Sequence, residues 1–253
     1  MPHNCYSQLD NLLQTHQNIQ EYVLAHAAEF ADAPAHKIIY STPSLLLGLH
    51  TPTLLLGIHY SGAYKKGQKL KSPGNRTDYL SYDYDSDGNL LRITDHGDGL
   101  KFFYCIIRHD GLEWAIPVFR NPPDGRYCHY PYYSKFTEWD EQGRVVKFGQ
   151  IRGNDFLLET YRYDVFEQGA LCDFWHYIPT LAHSCKSTPF SQAGSPADLY
   201  RYRLDLTDPK HISGTLLESY THDHSVSCDL IPQKIFQADP SIVLPQPLLY
   251  NIG

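Results

Sequence analysis

Three aspartates at alternate positions, Asp83, Asp85 and Asp87, precede Gly88 in DYDSDGNLLRIT (83–94). Oxygen ligands at positions one, three and five with glycine at six open a calcium loop, which a bidentate carboxylate at position twelve must close. Counted from Asp83, that position is Thr94, and the flanks read as strands, so this spacing does not support calcium. A second candidate is His222-Asp223-His224 with Cys228. Alternate histidines on a strand project to one side and a thiolate can add a third ligand, although the spacing is not that of a recognised zinc motif. His176, His183 and Cys185 form a looser group, while His50 and His59 supply two ligands where a metal wants three or four. No metal or other cofactor is expected.

Nucleophilic chemistry leaves as little trace. The chain has no G-x-S-x-G elbow, no P-loop, no G-x-G-x-x-G after a strand and no H-E-x-x-H, so no catalytic residue is assigned. The paired carboxylates of a glycosidase carry no local signature. A carbohydrate-active hydrolase working through such a pair therefore stands as the alternative function, and a structural scaffold fragment as a third.

The aspartates make better sense as turn residues. Tyr82-x-Tyr84-Asp85-x-x-Gly88-Asn89-Leu90 is echoed by Thr137-x-Trp139-Asp140-x-x-Gly143-Arg144-Val145, by Tyr161-x-Tyr163-Asp164, and more weakly by Tyr200-x-Tyr202-x-Leu204-Asp205. Alternate aromatics turn one face to the core, Asp accepts from the backbone N–H groups of the turn, and Gly supplies the positive φ. An aliphatic residue then starts the return strand.

This pattern resembles the tyrosine-aspartate repeats of the RHS family, Y-x-Y-D-x-x-G-x-L-x-x-x-T, which Tyr82 to Thr94 matches throughout and the next two copies match in part. Successive motif aspartates lie 55, 24 and 41 residues apart, without the fixed period of a regular shell. A short acidic chain with such hairpins looks like a free-standing companion of these systems. The resemblance implies an immunity protein that binds and neutralises a cognate toxin effector and is not an enzyme. The residues expected to meet the toxin are Asp83, Asp85, Asp87, Asp95 and Asp98, with Glu138, Asp140 and Glu141 at the equivalent turn of the next copy. If the hairpins are neighbours, the two groups form one negative rim.

The elements that must carry these residues follow from periodicity. Leu9, Leu12, Leu13, Ile19, Val23, Ala27 and Phe30 recur at helical steps, predicting an amphipathic helix over 7–32 that Pro34 ends. TPSLLLGLH (42–50) is repeated almost unchanged as TPTLLLGIH (51–59), predicting duplicated apolar strands over 38–60. Prolines and glycines interrupt it well short of a membrane span. GAYKKGQKLKSPGNR (62–76) reads as a basic, solvated loop. Asp-Gly and similar dipeptides then punctuate strand-length runs over 77–221, predicting an antiparallel meander, with an extended Pro-rich tail over 222–253.

Composition agrees with a mainly β chain: tyrosine occurs 20 times and methionine once, and Gly and Pro 17 times each. At 253 residues and 42% apolar it can bury a core as a single domain over 1–253. A net charge of −7 opposes nucleic-acid binding and suits a basic partner. Six scattered cysteines without C-x-x-C read for the most part as buried thiols. The first residues show no basic segment followed by an apolar one, so the expectation is a cytoplasmic protein without a membrane partner.

Overall fold

The computed structural model describes residues 4–43, 47–50, 52–55, 67–97, 102–130, 133–152, 155–177, 198–208, 212–220 and 233–237. Among these the protein is mainly β. The strands are β1 (Lys37–Ser41), β2 (Lys69–Leu70), β3 (Leu80–Tyr84), β4 (Leu90–Asp95), β5 (Phe102–His109), β6 (Leu112–Arg120), β7 (Tyr127–His129), β8 (Ser134–Trp139), β9 (Val145–Arg152), β10 (Asp155–Arg162), β11 (Gly169–Tyr177), β12 (Asp198–Asp205), β13 (Ser213–Tyr220) and β14 (Gln233–Gln237). They form one antiparallel sheet in the order β14-β13-β12-β11-β10-β9-β8-β6-β5-β4-β3-β1-β2, with β7 on the far end of β6. Neighbours in the sheet are almost all neighbours in the chain, because each tight turn leaves the next strand nowhere else to pair.

Turn chemistry sets the register. Asp110 and Gly111 both take positive φ, 50° and 76°, giving the two-residue hairpin that pairs His109 with Leu112. In the first two motif copies the turn residues span 85–89 and 140–144, and each hairpin carries a register shift, at Asp83/Tyr84 and at Glu138/Trp139. Two strands of the sheet path separate each of the turns 85–89, 110–111, 140–144, 163–168 and the one that begins at Leu206 from the next, so all five fall on one rim of the sheet.

Two helices, α1 (Asn4–Ala25) and α2 (Ala27–Asp32), cover one face. The break falls at His26 (φ −112°, ψ 14°), and Ala33 turns extended (φ −55°, ψ 125°) because Pro34 crowds the helical conformation of the residue before it. His16, Ile19, Val23 and Ala27 form the buried stripe, three or four residues apart. The stripe packs on Cys105, Trp114, Ile116, Phe136, Ile151 and Phe156. Gly149 makes room here, since a Cβ on it would stand 2.1 Å from the Phe136 ring. No helix among the described residues is long and apolar enough to cross a membrane.

The described parts of the duplicated segment, 47–50 and 52–55, lie on the other face, and there the expectation of paired strands is corrected. Among the described residues of that span strand is confined to β1, and residues 47–50 and 52–55 are turn and irregular backbone. Leu47 and Gly48 take φ of 53° and 60°, which no strand accommodates. Leu47 enters an apolar cluster with Leu80, Tyr82, Ile93 and Tyr104, and Leu55 enters another with Phe148, Tyr161, Phe174 and Tyr202. The segment thus acts as a strap pinned at two points, one from each copy.

Candidate functional site

The motif aspartates are turn-formers first. Asp85 Oδ1 accepts from the backbone N–H groups of Asp87 (2.9 Å) and Asn89 (2.7 Å), and Asp140 Oδ1 from those of Gln142 (3.0 Å) and Arg144 (2.8 Å). The backbone bonds of the two turns correspond as well, Gly88 to Asp85 and Gly143 to Asp140. Hydrogen bonding, led by the Asn89 side chain, holds the Asp85 carboxyl below the usual range. At Asp140 burial acts in the opposite sense, but bonds from Arg144 and Gln142 more than offset it and the carboxyl is again held low. Both stay ionised and charge the rim while shaping it. Asp205 shares part of this arrangement, accepting from Thr207 N (2.9 Å) and Oγ1 (2.6 Å).

The remaining candidate contact residues divide. Asp83 is 5% exposed on the helix-covered face, where Arg92 Nε donates to it over 2.6 Å and Arg92 Nη1 ties the α2 carbonyls of Phe30 and Ala31, so it is removed from any surface role. Asp95 pairs with Leu80 and Phe102 at the opposite rim and accepts from Gly97 N. Glu138, next to the third turn, is paired with Lys147. Asp87 and Glu141 are exposed on their turns. Asp98, and the metal candidates His222, His224 and Cys228, lie outside the described residues, as do His59, His183 and Cys185. No group of three or more metal-ligating side chains occurs among the described residues.

What assembles on the turn rim is wider than the expected set. Asp85 and Asp87 stand on the first turn, Asp110 on the second, Asp140 and Glu141 on the third, Asp164 and Glu167 on the fourth, and Asp205 and Asp208 on the fifth. The described cations there are largely engaged: Arg108 donates to Asn89, Arg144 is held by Asp140 (2.7 Å), Arg203 lies 4.6 Å over the Phe166 ring and Lys37 5.9 Å over that of Tyr84. Arg162 is exposed.

Between the third and fourth turns opens a groove of about 520 Å³, floored by Trp139, Val145 and Tyr163 and walled by Phe166 and the strap residues Pro52 and Leu54. The Arg144 guanidinium lies 4.3 Å over the centre of the Tyr163 ring, and the Tyr163 hydroxyl donates to Val145 O over 2.7 Å, so Tyr163 is held from both its face and its tip. The volume falls in the range of ligand sites. Sequence reasoning singled out the carboxylates and missed this groove; its signal was the repeated aromatic of copies two and three, which adjacent hairpins bring side by side.

Buried polar groups mark the sheet beneath the strap. His50 Nε2 and Glu113 Oε1 are 2.7 Å apart and each 7% exposed. Burial disfavours the Glu113 anion, but His50 and Arg108 outweigh it and the carboxyl is held low. Glu159 accepts from the Tyr161 hydroxyl, and Lys135 Nζ donates to Tyr104 Oη over 3.1 Å, with burial lowering its pKa to about 7. The register Glu113, Thr137, Phe148, Glu159 puts the two glutamates three strands apart, about 14 Å between Cα atoms. Glycosidase carboxyl groups stand about 5–9 Å apart. Each glutamate is bound to its own neighbour, Glu113 to His50 and Glu159 to Tyr161.

Comparison with protein-family models, with curated proteins and with solved structures gives no match for this chain.

Proposed function

We propose that the protein is a non-enzymatic immunity protein that binds and neutralises a cognate toxin effector, using the turn rim as its contact surface. The observation that supports this most is the distribution of charge: nine carboxylates from five successive turns fall on one rim, and most cations beside them are spent on internal contacts. A surface of this sign steers a basic partner into encounter and disfavours acidic ones. The tyrosine-aspartate pattern of the hairpins, which resembles that of RHS proteins, is what points this reading towards toxin systems. On this reading Asp85, Asp87, Asp140 and Glu141 remain contact residues, joined by Asp110, Asp164 and Glu167.

The test is co-expression of the full chain with the effector encoded beside it, reading protection of the host cell and recovery of the complex. Protection is expected, with an association rate that falls about tenfold or more between low and physiological salt. An effector that is neither bound nor inhibited sinks the proposal, and a salt-independent rate removes the rim from it.

A further inference from the structure

The groove beside the third and fourth turns has chemistry that narrows its occupant. Its walls are apolar and aromatic, from Pro52, Leu54, Trp139, Val145, Tyr163 and Phe166. Among the described residues, Arg144 is the cation lining it, and that guanidinium is already paired with Asp140 and lies 4.3 Å over the Tyr163 ring. Around the mouth the signs are negative: Glu167 lines the groove and is exposed, and Glu141 and Asp164 are exposed on the turns at either side. On the fourth turn Val165, next in the chain to the lining residue Phe166, is 43% exposed.

We infer that this groove is the anchor pocket of the contact surface, taking one aromatic or branched aliphatic side chain that a basic segment of the partner presents between lysines or arginines. The inference rests on the binding role proposed above and names the feature of the partner that role requires. An apolar cavity surrounded by carboxylates selects a side chain that wants to leave water, carried by a backbone whose flanking charges are positive. Binding energy in protein interfaces concentrates in such filled pockets while the charged surround sets approach and sign. An acidic peptide meets repulsion at the mouth, and a basic peptide without an anchor leaves the groove wet. The two requirements are therefore separable.

The full chain is titrated with three capped pentapeptides: phenylalanine between lysine pairs, alanine between lysine pairs, and phenylalanine between glutamate pairs. Binding is followed by NMR at the Trp139 indole N–H and the Leu54 methyls. The lysine–phenylalanine peptide is expected to shift both signals and to bind about tenfold or more tightly than either control. Gln142→Trp, an exposed position on the groove edge, is expected to abolish those shifts while the melting temperature stays within a few degrees. Equal binding of both lysine peptides, equal binding of both phenylalanine peptides, or no shift at Trp139 and Leu54 with any of them overturns the pocket. If the pocket fails while the effector is still captured, the immunity role stands without it. If the peptide fills the groove but the effector is not bound, that role falls and the pocket remains.

Discussion

The two faces of the sheet are closed by different means, and the difference explains where this protein keeps its polar groups. On one face lie helices, which satisfy their own interior backbone hydrogen bonds, so the middle of the sheet beneath them can be apolar, with the Asp83–Arg92 pair under α2: Trp114, Ile116, Phe136, Ile151 and Phe156 are each 0–1% exposed. On the other lies an irregular strap, whose N–H and C=O groups must find partners in the sheet. Tyr82 Oη meets Leu49 N (2.8 Å), Leu47 O (2.9 Å) and Ser41 Oγ (2.9 Å), and Tyr161 Oη accepts from Leu54 N over 3.0 Å. These are the leading tyrosines of the first and third motif copies, each serving one copy of the duplicated segment. A cover without secondary structure is stable only over a sheet that supplies its hydrogen bonds.

Each face can be broken separately. Trp114→Ala, which empties the helix-covered core and removes the indole that stacks on His16 and meets Phe136 at a tilt, is expected to cost about 3–5 kcal/mol by chemical denaturation. A loss under about 1 kcal/mol would mean that α1 does not seal that face.

Proton uptake distinguishes the faces next. Burial, with a smaller push from His129, lowers the His16 pKa to about 4. The folded value lies below the unfolded one, so the stability tied to neutral His16 is intact above pH 6.5 and is lost as pH falls towards 4, by about 3 kcal/mol in full. His16→Leu should flatten that acid limb. Lys135, at about 7 in the fold against 10.5 unfolded, works in the alkaline range. The unfolded chain binds the extra proton above pH 7, so stability rises from pH 7 to 9, and Lys135→Met removes the slope and raises the melting temperature at pH 7. A variant that melts lower would show that the ammonium earns its burial.

The strap's own bonds come third. Tyr82→Phe should cost about 1–3 kcal/mol, because it strands a buried N–H and carbonyl, and Tyr161→Phe about as much. If only Tyr82→Phe is harmful, the two copies are not equivalent pins. The smallest contrast lies between the turns: Asp140→Ala should cost about 1 kcal/mol and Asp164→Ala, exposed on the longer fourth turn, less than about 0.5. Equal values would remove the distinction between a capped and an uncapped motif copy.

Much of this was legible in the chain. Alternating aromatics with Asp and Gly at fixed offsets specify a hairpin locally, since Asx bonding and positive φ need no distant partner, and a series of such hairpins leaves an antiparallel sheet as the simplest outcome. The helical period of 7–30 and the stop before Pro34 are equally local. The strap was misread because an apolar run is ambiguous when its hydrogen bonds come from residues more than thirty positions away, as Leu49 takes its bond from Tyr82. The expected contact set is split for a related reason: a carboxylate's exposure depends on its face and rim. Strand parity puts Asp83 against Arg92 beneath the helices, and strand direction puts Asp95 on the far rim.

The sequence by itself determined the turns, the strand class and the sign of the charge, because each of these is decided within a few residues. Only the tertiary structure decided which turns share a rim, that Trp139 and Tyr163 floor one groove, and that the glutamates at 113 and 159 stand three strands apart. Those facts depend on strand order and register, which link residues far apart in the chain and leave no pattern within any one stretch of it.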